Sequence, residues 1–257
     1  MHTSHIEAVL SYEVSAPAHF LLNVETARWD GQTPIKESLR IEPQVKVQTF
    51  CDENSGNRFV RFDAPVGPLM VHYSATVRRA ALHRPPVLDE VPVNQVPNEV
   101  LHYLMPTRYC ESDLMARAAQ QLFGDLPQGI GRVQAVCDWI HETIAYEPGS
   151  SDSTTTAREV FVQRAGVCRD FAHLGVTLCR ALNIPARLVV GYVYFTEPPR
   201  ISMRCSRCGW AGAGCCSIPR RWRPSIGSCG WERAGMPRTW PSAPCLARCA
   251  CATRRSP

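Results

Sequence analysis

The segment Gly166-Val-Cys-Arg-Asp-Phe-Ala-His-Leu174 and its continuation Cys179-Arg-Ala-Leu-Asn-Ile-Pro-Ala-Arg187 decide the fold of the second half of the chain. Their apolar spacing predicts a helix from about Cys168 to Leu182, ended by Asn-Ile-Pro, and then a strand from Arg187 to Tyr194. A cysteine in the first turn of such a helix lies where unpaired amides and the helix dipole favour a negative charge. Cys168 is therefore a candidate nucleophile, with a buried structural cysteine as the alternative.

Three shorter helical patterns precede this segment. Ser112 is placed to cap a helix through Leu122, with Leu114, Ala118 and Leu122 on its buried face. A second helix is predicted over Ile130–Ala145, whose apolar stripe is Val133, Val136, Cys137, Ile140 and Ile144. Thr156 and Glu159 have capping-box spacing, which predicts a short helix to Gln163.

The first eighty residues show strand patterns instead. Alternating runs such as Val9–Val14 and Phe59–Phe62 predict antiparallel strands, and the polar segment Asp52–Asn57 predicts a hairpin loop. Prolines at 85, 86, 92 and 97 then exclude regular helix. The prediction is an α+β chain with an N-terminal antiparallel β-sandwich (1–81), a Pro-rich linker (82–97) and an α+β core domain (98–199).

Residues 200–257 differ in composition from everything before them. Within them, residues 201–257 hold ten of the arginines, eight of the 13 cysteines and four of the six tryptophans, with Glu232 as their single acid. Their net charge is +9, which leaves −4 for the first 200 residues. The basic character therefore belongs to the tail alone, and no helix or strand period persists in it. It is predicted to be disordered.

Several classes of protein are excluded by composition. No apolar run approaches the ~18 residues of a membrane span, and no secretory signal is visible at the start. Five cysteines in the first 200 residues are ordinary for a reducing compartment, so a cytoplasmic location is expected. No phosphate loop, calcium loop or metal cluster is present in the body, so we expect no cofactor.

The Cys168 segment, the following Arg-Ala-Leu-Asn-Ile-Pro-Ala-Arg and the later Gly-Tyr strongly resemble the bacterial transglutaminase-like superfamily. The resemblance covers about residues 1–199. It implies a papain-like core with a Cys nucleophile at a helix N-terminus, a His on the next strand and an Asp on the one after. It also implies chemistry on a peptide or protein amide, with Cys168 as the matching nucleophile.

Nothing in this sequence matches the other two members of that triad. After Arg200 there is neither histidine nor aspartate. Reading the last base of each codon with the first two of the next permits His-Ala-Val-Phe-Glu-Val-Trp-Leu-Gly from the boundary of Ser202 and Met203. Val-Leu-Phe-Asp-Pro-Thr is permitted from Gly214 onward. We therefore predict a change of reading frame near Pro198–Arg200, genuine or a sequence error, and little or no activity for the chain as written.

Two other interpretations stay open. The chain is alternatively a non-catalytic binding module on the same fold, because a fold does not fix a function. Taken at face value, the tail is alternatively a zinc or nucleic-acid element, but its Cys205-Ser-Arg-Cys208 has no second pair at zinc-ribbon spacing. Neither nucleic acid nor membrane is expected as a partner, and the oligomeric state is open.

Other reactive residue types are expected to have ordinary roles. His173 follows Cys168 by five positions, about 140° around the helix, so it is expected to support the fold rather than the thiol. Arg169 and Asp170 are expected to cap the helix or pair on its surface. His19 and His72 are expected beside strands, and His141 is expected as an ordinary helix residue.

Overall fold

The structure is a computed structural model that describes residues 2–28, 32–52, 56–79 and 90–192, together with four short strands after residue 203. The chain forms two compact units. The first comprises Met1–Leu82, Val190–Ser202 and Pro224–Pro257, and the second comprises His83–Val189 and Met203–Arg223. The domain boundaries drawn from the sequence stay predictions.

Strands dominate the first unit and helices the second. The strands are β1 (His2–Val14), β2 (Ala18–Leu22), β3 (Gln32–Glu42), β4 (Gln48–Cys51), β5 (Arg58–Ala64), β6 (Gly67–Arg79), β7 (Ala145–Tyr146), β8 (Ala165–Gly166), β9 (Ala186–Tyr192), β10 (Arg204–Trp210), β11 (Ala213–Cys216), β12 (Cys229–Trp231) and β13 (Arg248–Cys251). The helices are α1 (Ser112–Phe123), α2 (Ile130–Thr143), α3 (Ala157–Gln163), α4 (Cys168–Ala181) and two 3-10 helices, Val93–Gln95 and Asn98–Leu104. The α+β class is confirmed.

The first unit contains two antiparallel sheets, with strand orders β13-β1-β6-β3 and β2-β5-β4. Strands β1 and β6 pair along their whole length, from His2 opposite Arg79 to Val14 opposite Gly67. Side chains of both sheets share one core, and Phe62 and Leu69 are each 2% exposed there. The predicted sandwich is confirmed, and so is the hairpin of β4 and β5.

A network of charged side chains lies inside this unit, around Arg58. Its guanidinium lies 3.0 Å from Glu25 and 2.6 Å from Glu37. Glu37 also accepts hydrogen bonds from Arg28 at 3.0 Å and from the Tyr73 hydroxyl at 3.2 Å. Burial favours the neutral form of Glu37, but its bonds to Arg58, Arg28 and Tyr73 outweigh burial and hold its pKa below the ordinary value. Burial dominates at Glu25 and raises its pKa, since Arg58 offsets it only in part.

Helix α4 is the centre of the second unit. Every residue from Ala172 to Arg180 is buried, and Leu174 and Leu178 have no exposed surface. Helices α1, α2 and α3 and strand β10 pack against it. The predicted α2 stripe is buried as expected, and the capping box of Thr156 and Glu159 is present.

The predicted face of α1 is wrong by one residue. Leu114 is 59% exposed and Leu122 is 39% exposed, whereas Met115, Ala119 and Phe123 are buried. The N-cap is Glu111 rather than Ser112, and it makes no side-chain capping bond. Both stripes have the same spacing along the helix, and packing against α4 selects the one that contains Phe123.

We expect this difference to appear in stability. Met115→Ala should lower the free energy of unfolding of the second unit by about 2–4 kcal/mol, because it leaves a cavity in the core. Leu114→Ala, at an exposed position one residue earlier, should change it by no more than about 0.5 kcal/mol. Urea unfolding followed by circular dichroism measures both, and a larger loss for Leu114→Ala would restore the face drawn from the sequence.

The C-terminal region holds more regular structure than its composition predicts. Strand β10 pairs antiparallel with β11, and β12 pairs antiparallel with the end of β9. The sheet therefore continues beyond β9 in the order β11-β10-β9-β12, which corrects the expectation, drawn from the missing strand period after residue 200, that the core sheet is incomplete at its C-terminal strands. Pairing uses backbone groups that every residue except proline supplies, so strands form there without alternating side chains. The other tail residues, on which the prediction of disorder falls, lie outside the described residues.

The same sheet helps to bury α4. If the sheet lacked its later strands, the helix that carries Cys168 would be expected to be partly exposed. This expectation is wrong for the described residues, because Leu174, Val176 and Leu178 are at most 1% exposed. Strand β10 takes part in covering the helix.

Candidate active site

Cys168 is the first residue of α4, as the sequence predicts. The preceding residue, Val167, is extended (φ −112°, ψ 179°), and its carbonyl accepts the amides of Asp170 at 2.8 Å and Phe171 at 3.1 Å. Cys168 is not in a disulfide, and the residue has intermediate exposure. It lies at the positive end of a helix whose later turns are buried.

The carboxylate of Asp170 fixes this first turn from inside. Asp170 is 1% exposed. Its Oδ2 accepts the Val167 amide at 2.8 Å and the Ser151 hydroxyl, and its Oδ1 accepts two N–H groups of Arg169 at 3.0 and 3.1 Å. Helix capping by Asp170 is thus confirmed, but the carboxylate is buried rather than on the helix surface.

Gly166 makes room for that carboxylate. A Cβ at this position would lie 2.8 Å from Cβ of Asp170 and 3.4 Å from Cγ1 of Val160. Contacts below 3.0 Å force atoms to move, so a side chain at residue 166 would displace either Asp170 or strand β8, which contains residue 166. The glycine two residues before Cys168 is therefore a packing requirement.

A loop of residues 147–156 is attached to the same turn. Strands β7 and β8 pair in parallel, which places Tyr146 opposite Gly166. The Arg169 guanidinium donates to the Asp152 carbonyl. The side chain and amide of Thr154, and then those of Thr155, donate to the Asp152 carboxylate and lower its pKa to about 2. Asp152 therefore holds the loop together through Thr154 and Thr155, and Arg169 binds the loop to the first turn of α4.

Tyr146 lies close to the candidate nucleophile. Its pKa is raised by burial and, in second place, by the negative charge of a Cys168 thiolate. Its ring is tilted against Phe171, with ring centroids 6.1 Å apart. Tyr146 is thus an aromatic neighbour of the thiol, contributed by the residue that β7 places opposite Gly166.

The other sequence-predicted residues have structural positions. His173 is 4% exposed and stacks on Tyr109, with ring centroids 5.4 Å apart. The thiols of Cys110, Cys137 and Cys179 are buried, and Cys51 is exposed. His19 pairs with Asp63 at 2.6 Å and His72 with Glu7 at 2.9 Å, both at the surface of the first unit. His141 is half-buried on α2.

Metal and membrane chemistry find no support among the described residues. Within them no three His, Cys, Asp or Glu side chains are grouped as a metal site would require. No helix in this part of the chain has the length and apolar character needed to cross a bilayer. The side chains of Cys205 and Cys208 lie outside the described residues.

Known proteins resemble this chain, which has a half-buried cysteine at the start of a core helix. The family model described as "Transglutaminase-like superfamily" matches residues 116–223, and that described as "Bacterial transglutaminase, N-terminal domain" matches residues 3–99. A crystal structure of a candidate cysteine protease from Cytophaga hutchinsonii superposes with a TM-score of 0.85 and 31% identity, covering 99% of this chain and 91% of that chain. The chain belongs to the transglutaminase-like superfamily.

Curated relatives share shorter parts of this transglutaminase-like chain. An uncharacterized protein of Mycobacterium leprae is 30% identical over 91 residues, 35% of this chain and 33% of its own length. An uncharacterized protein of Mycobacterium tuberculosis is 38% identical over 60 residues, 23% of this chain and 19% of its own length. The chain thus spans a third or less of the length of these two relatives.

Sequence reasoning found Cys168 but missed what surrounds it. Ser151 and Asp152 precede Asp170 by nearly twenty residues, and no local pattern marks them as its neighbours. The one available signal is the Gly-x-Cys-x-Asp spacing, in which a glycine and a carboxylate flank the cysteine at equal distances. In the folded chain, Gly166 and Asp170 lie directly against each other.

Proposed function

We propose that this transglutaminase-like chain descends from a thiol hydrolase or acyltransferase that acts on amide bonds of peptides or proteins, with Cys168 as nucleophile. The observation that carries the proposal is the position of the Cys168 thiol, partly accessible at the N-terminus of α4. A helix N-terminus stabilises a thiolate, the form that attacks a carbonyl carbon. The Cytophaga hutchinsonii relative is named as a candidate cysteine protease, which agrees with this chemistry.

The sequence after Arg200 does not supply the histidine and aspartate that the resemblance implies for the triad. No histidine or aspartate follows Arg200. The histidine of α4, His173, follows Cys168 by five residues and is buried against Tyr109, so it belongs to the core. A thiolate without an acid cannot protonate a leaving amine, and we therefore propose that this chain is inactive.

We further propose that the missing residues were lost by a change of reading frame near Pro198–Arg200. The family match extends to residue 223, so it includes the boundaries at which the shifted frame permits histidine (Ser202 to Met203) and aspartate (Ser217 to Ile218). Nucleotide sequencing across Phe195–Ile218 tests this. A sequence that permits neither residue in any frame would leave a non-catalytic binding module as the better proposal.

We propose a reducing, cytoplasmic location, which is supported by the five cysteines of the body, none of them in a disulfide. Their reactivity also tests the function. With iodoacetamide at pH 7, peptide-resolved mass spectrometry is expected to show Cys168 alkylated faster than the exposed Cys51, although Cys168 is the less exposed of the two. The buried Cys110, Cys137 and Cys179 should react only on unfolding.

The control is Cys168→Ala, which should remove that one fast reaction and leave the Cys51 rate unchanged. If Cys168 reacts no faster than Cys51 in the unaltered chain, the thiol is not activated. The enzyme ancestry then loses its support, and the binding module is favoured.

A further inference from the structure

The contacts of Asp170 join two segments at the candidate nucleophile, the first turn of α4 and the loop 147–156. Through Oδ2 it holds the amide of Val167, the residue directly before Cys168, at 2.8 Å. Through the same oxygen it holds the Ser151 hydroxyl of the loop 147–156. Through Oδ1 it holds the guanidinium of Arg169, the residue directly after Cys168. Both chain neighbours of the nucleophile are thus bound to a single buried carboxylate.

We propose that Asp170 is a positioning residue for the Cys168 thiol, acting through Val167, Arg169 and Ser151. This inference rests on the proposed function of Cys168. The carboxylate keeps residue 168 in the first turn of α4, where the helix dipole favours the thiolate. It also keeps the loop 147–156 beside the thiol, because Arg169 in turn binds the carbonyl of Asp152.

The rest of α4 does not depend on this carboxylate. From Ala172 to Arg180 every residue of the helix is buried, and α4 packs against α1, α2 and α3. Loss of the Asp170 contacts is therefore expected to loosen the first turn while the remainder of α4 stays folded. That separates a positioning role from a general contribution to stability.

A role through charge alone would have the opposite effect. A carboxylate near a thiol opposes formation of the thiolate, so removing it would speed alkylation. Tyr146 lies near the thiol, and the guanidinium of Arg169, the next residue in the chain, is paired to Asp170. Positioning predicts slower alkylation when Asp170 is replaced, and simple electrostatics predicts faster alkylation.

The experiment measures the rate of iodoacetamide alkylation at Cys168 between pH 6 and 9, peptide by peptide, in the full chain and in three variants. Asp170→Ala should slow Cys168 at pH 7 by about fivefold, the loss expected when a thiolate leaves the field of a helix N-terminus. Its pH profile should approach that of Cys51. Asp170→Asn, which keeps an acceptor for Val167, and Ser151→Ala should shift rate and profile in the same direction by smaller factors.

Val176→Ala is the matched control. It removes buried methyl groups from the same helix, two turns after Cys168, and should lower stability without changing the pH profile of Cys168. Alkylation of Cys110 and Cys179 reports global unfolding. Should Asp170→Ala unfold, the Asp170→Asn and Ser151→Ala variants decide.

Unchanged or faster alkylation of Cys168 in folded Asp170→Asn and Ser151→Ala would overturn the positioning role. If Cys168 reacts faster than Cys51 in the unaltered chain and the variants leave it unchanged, only this inference fails. If Cys168 is no faster than Cys51 even in the unaltered chain, the proposed function itself fails.

Discussion

A chain translated in the shifted frame after Pro198–Arg200 is expected to alkylate at Cys168 about tenfold faster at pH 6 than the present chain. The shifted frame permits a histidine at the boundary of Ser202 and Met203, the place where the superfamily would put its acid–base residue. An imidazolium next to a thiol stabilises the thiolate at acid pH, and the gain in thiolate exceeds the accompanying loss of nucleophilicity.

Alkylation needs no knowledge of the natural substrate, which makes the result interpretable. The control is a shifted-frame chain with alanine in place of that histidine, which should return to the rate of the present chain. Hydrolysis of fluorescein-labelled casein is a second readout, and Cys168→Ala should abolish any that is seen. Equal Cys168 rates in the two frames would contradict the proposed triad.

Arg58→Ala is expected to lower the free energy of unfolding of the first unit by about 3–5 kcal/mol at pH 7, because it leaves the buried Glu25 carboxylate without its ion pair and removes one of the two cations that bind Glu37. The Arg58 and Glu25 side chains are 15% and 9% exposed. Without the guanidinium, the buried Glu25 would lose its ion pair and would be desolvated as an anion or take up a proton, while Glu37 would keep only its bonds to Arg28 and Tyr73. Hydrogen exchange of β6 amides measures the loss within this unit.

The sign of the pH dependence follows from the two carboxyls. The lowered pKa of Glu37 contributes stability that is fully present above the unfolded pKa of a glutamate, about 4.3, and is lost as the pH falls below that value and through the folded pKa. In Arg58→Ala this contribution is reduced, because only Arg28 and Tyr73 still bind Glu37, and burial raises the pKa of Glu25 without Arg58 to offset it. The difference in free energy of unfolding between Arg58→Ala and the unaltered chain should therefore shrink as the pH falls from about 7 toward 4.5.

Arg28→Ala is the matched control for this network. Arg28 also binds Glu37, but its side chain is 63% exposed, so its removal should cost less than about 1 kcal/mol. Equal losses for the two variants would show that burial of the cation does not matter. A deficit for Arg58→Ala that grows on acidification would contradict the assignment of its cause to unpaired carboxylates.

Features that depend on neighbours in sequence were predictable. The α2 stripe and the capping box of Thr156 are set within one or two helical turns, and both are present. The start of α4 at Cys168 follows from the same local pattern. For α1, Leu114 and Met115 begin two equally spaced apolar stripes, and the choice between them depends on packing against another helix.

Features that join distant segments were not predictable. Burial of Asp170 requires Ser151 and Val167 as partners, and an Arg-Asp pair in the first turn of a helix ordinarily indicates a solvated face. The network of Arg58 draws Glu25 and Glu37 from different segments. No periodicity in the sequence encodes such contacts, because each depends on how sheets and helices assemble.

The pairing of β1 with β6 sets the order in which the first unit can form during synthesis. The partners His2 and Arg79 stand at opposite ends of that unit's continuous sequence, and the innermost pair, Val14 and Gly67, is also far apart. Strand β1 therefore leaves the ribosome long before the strand that covers its edge, and such non-local contacts slow folding. Until β6 is made, the nascent sandwich presents an unpaired edge, and a chaperone that binds extended segments would find its target there.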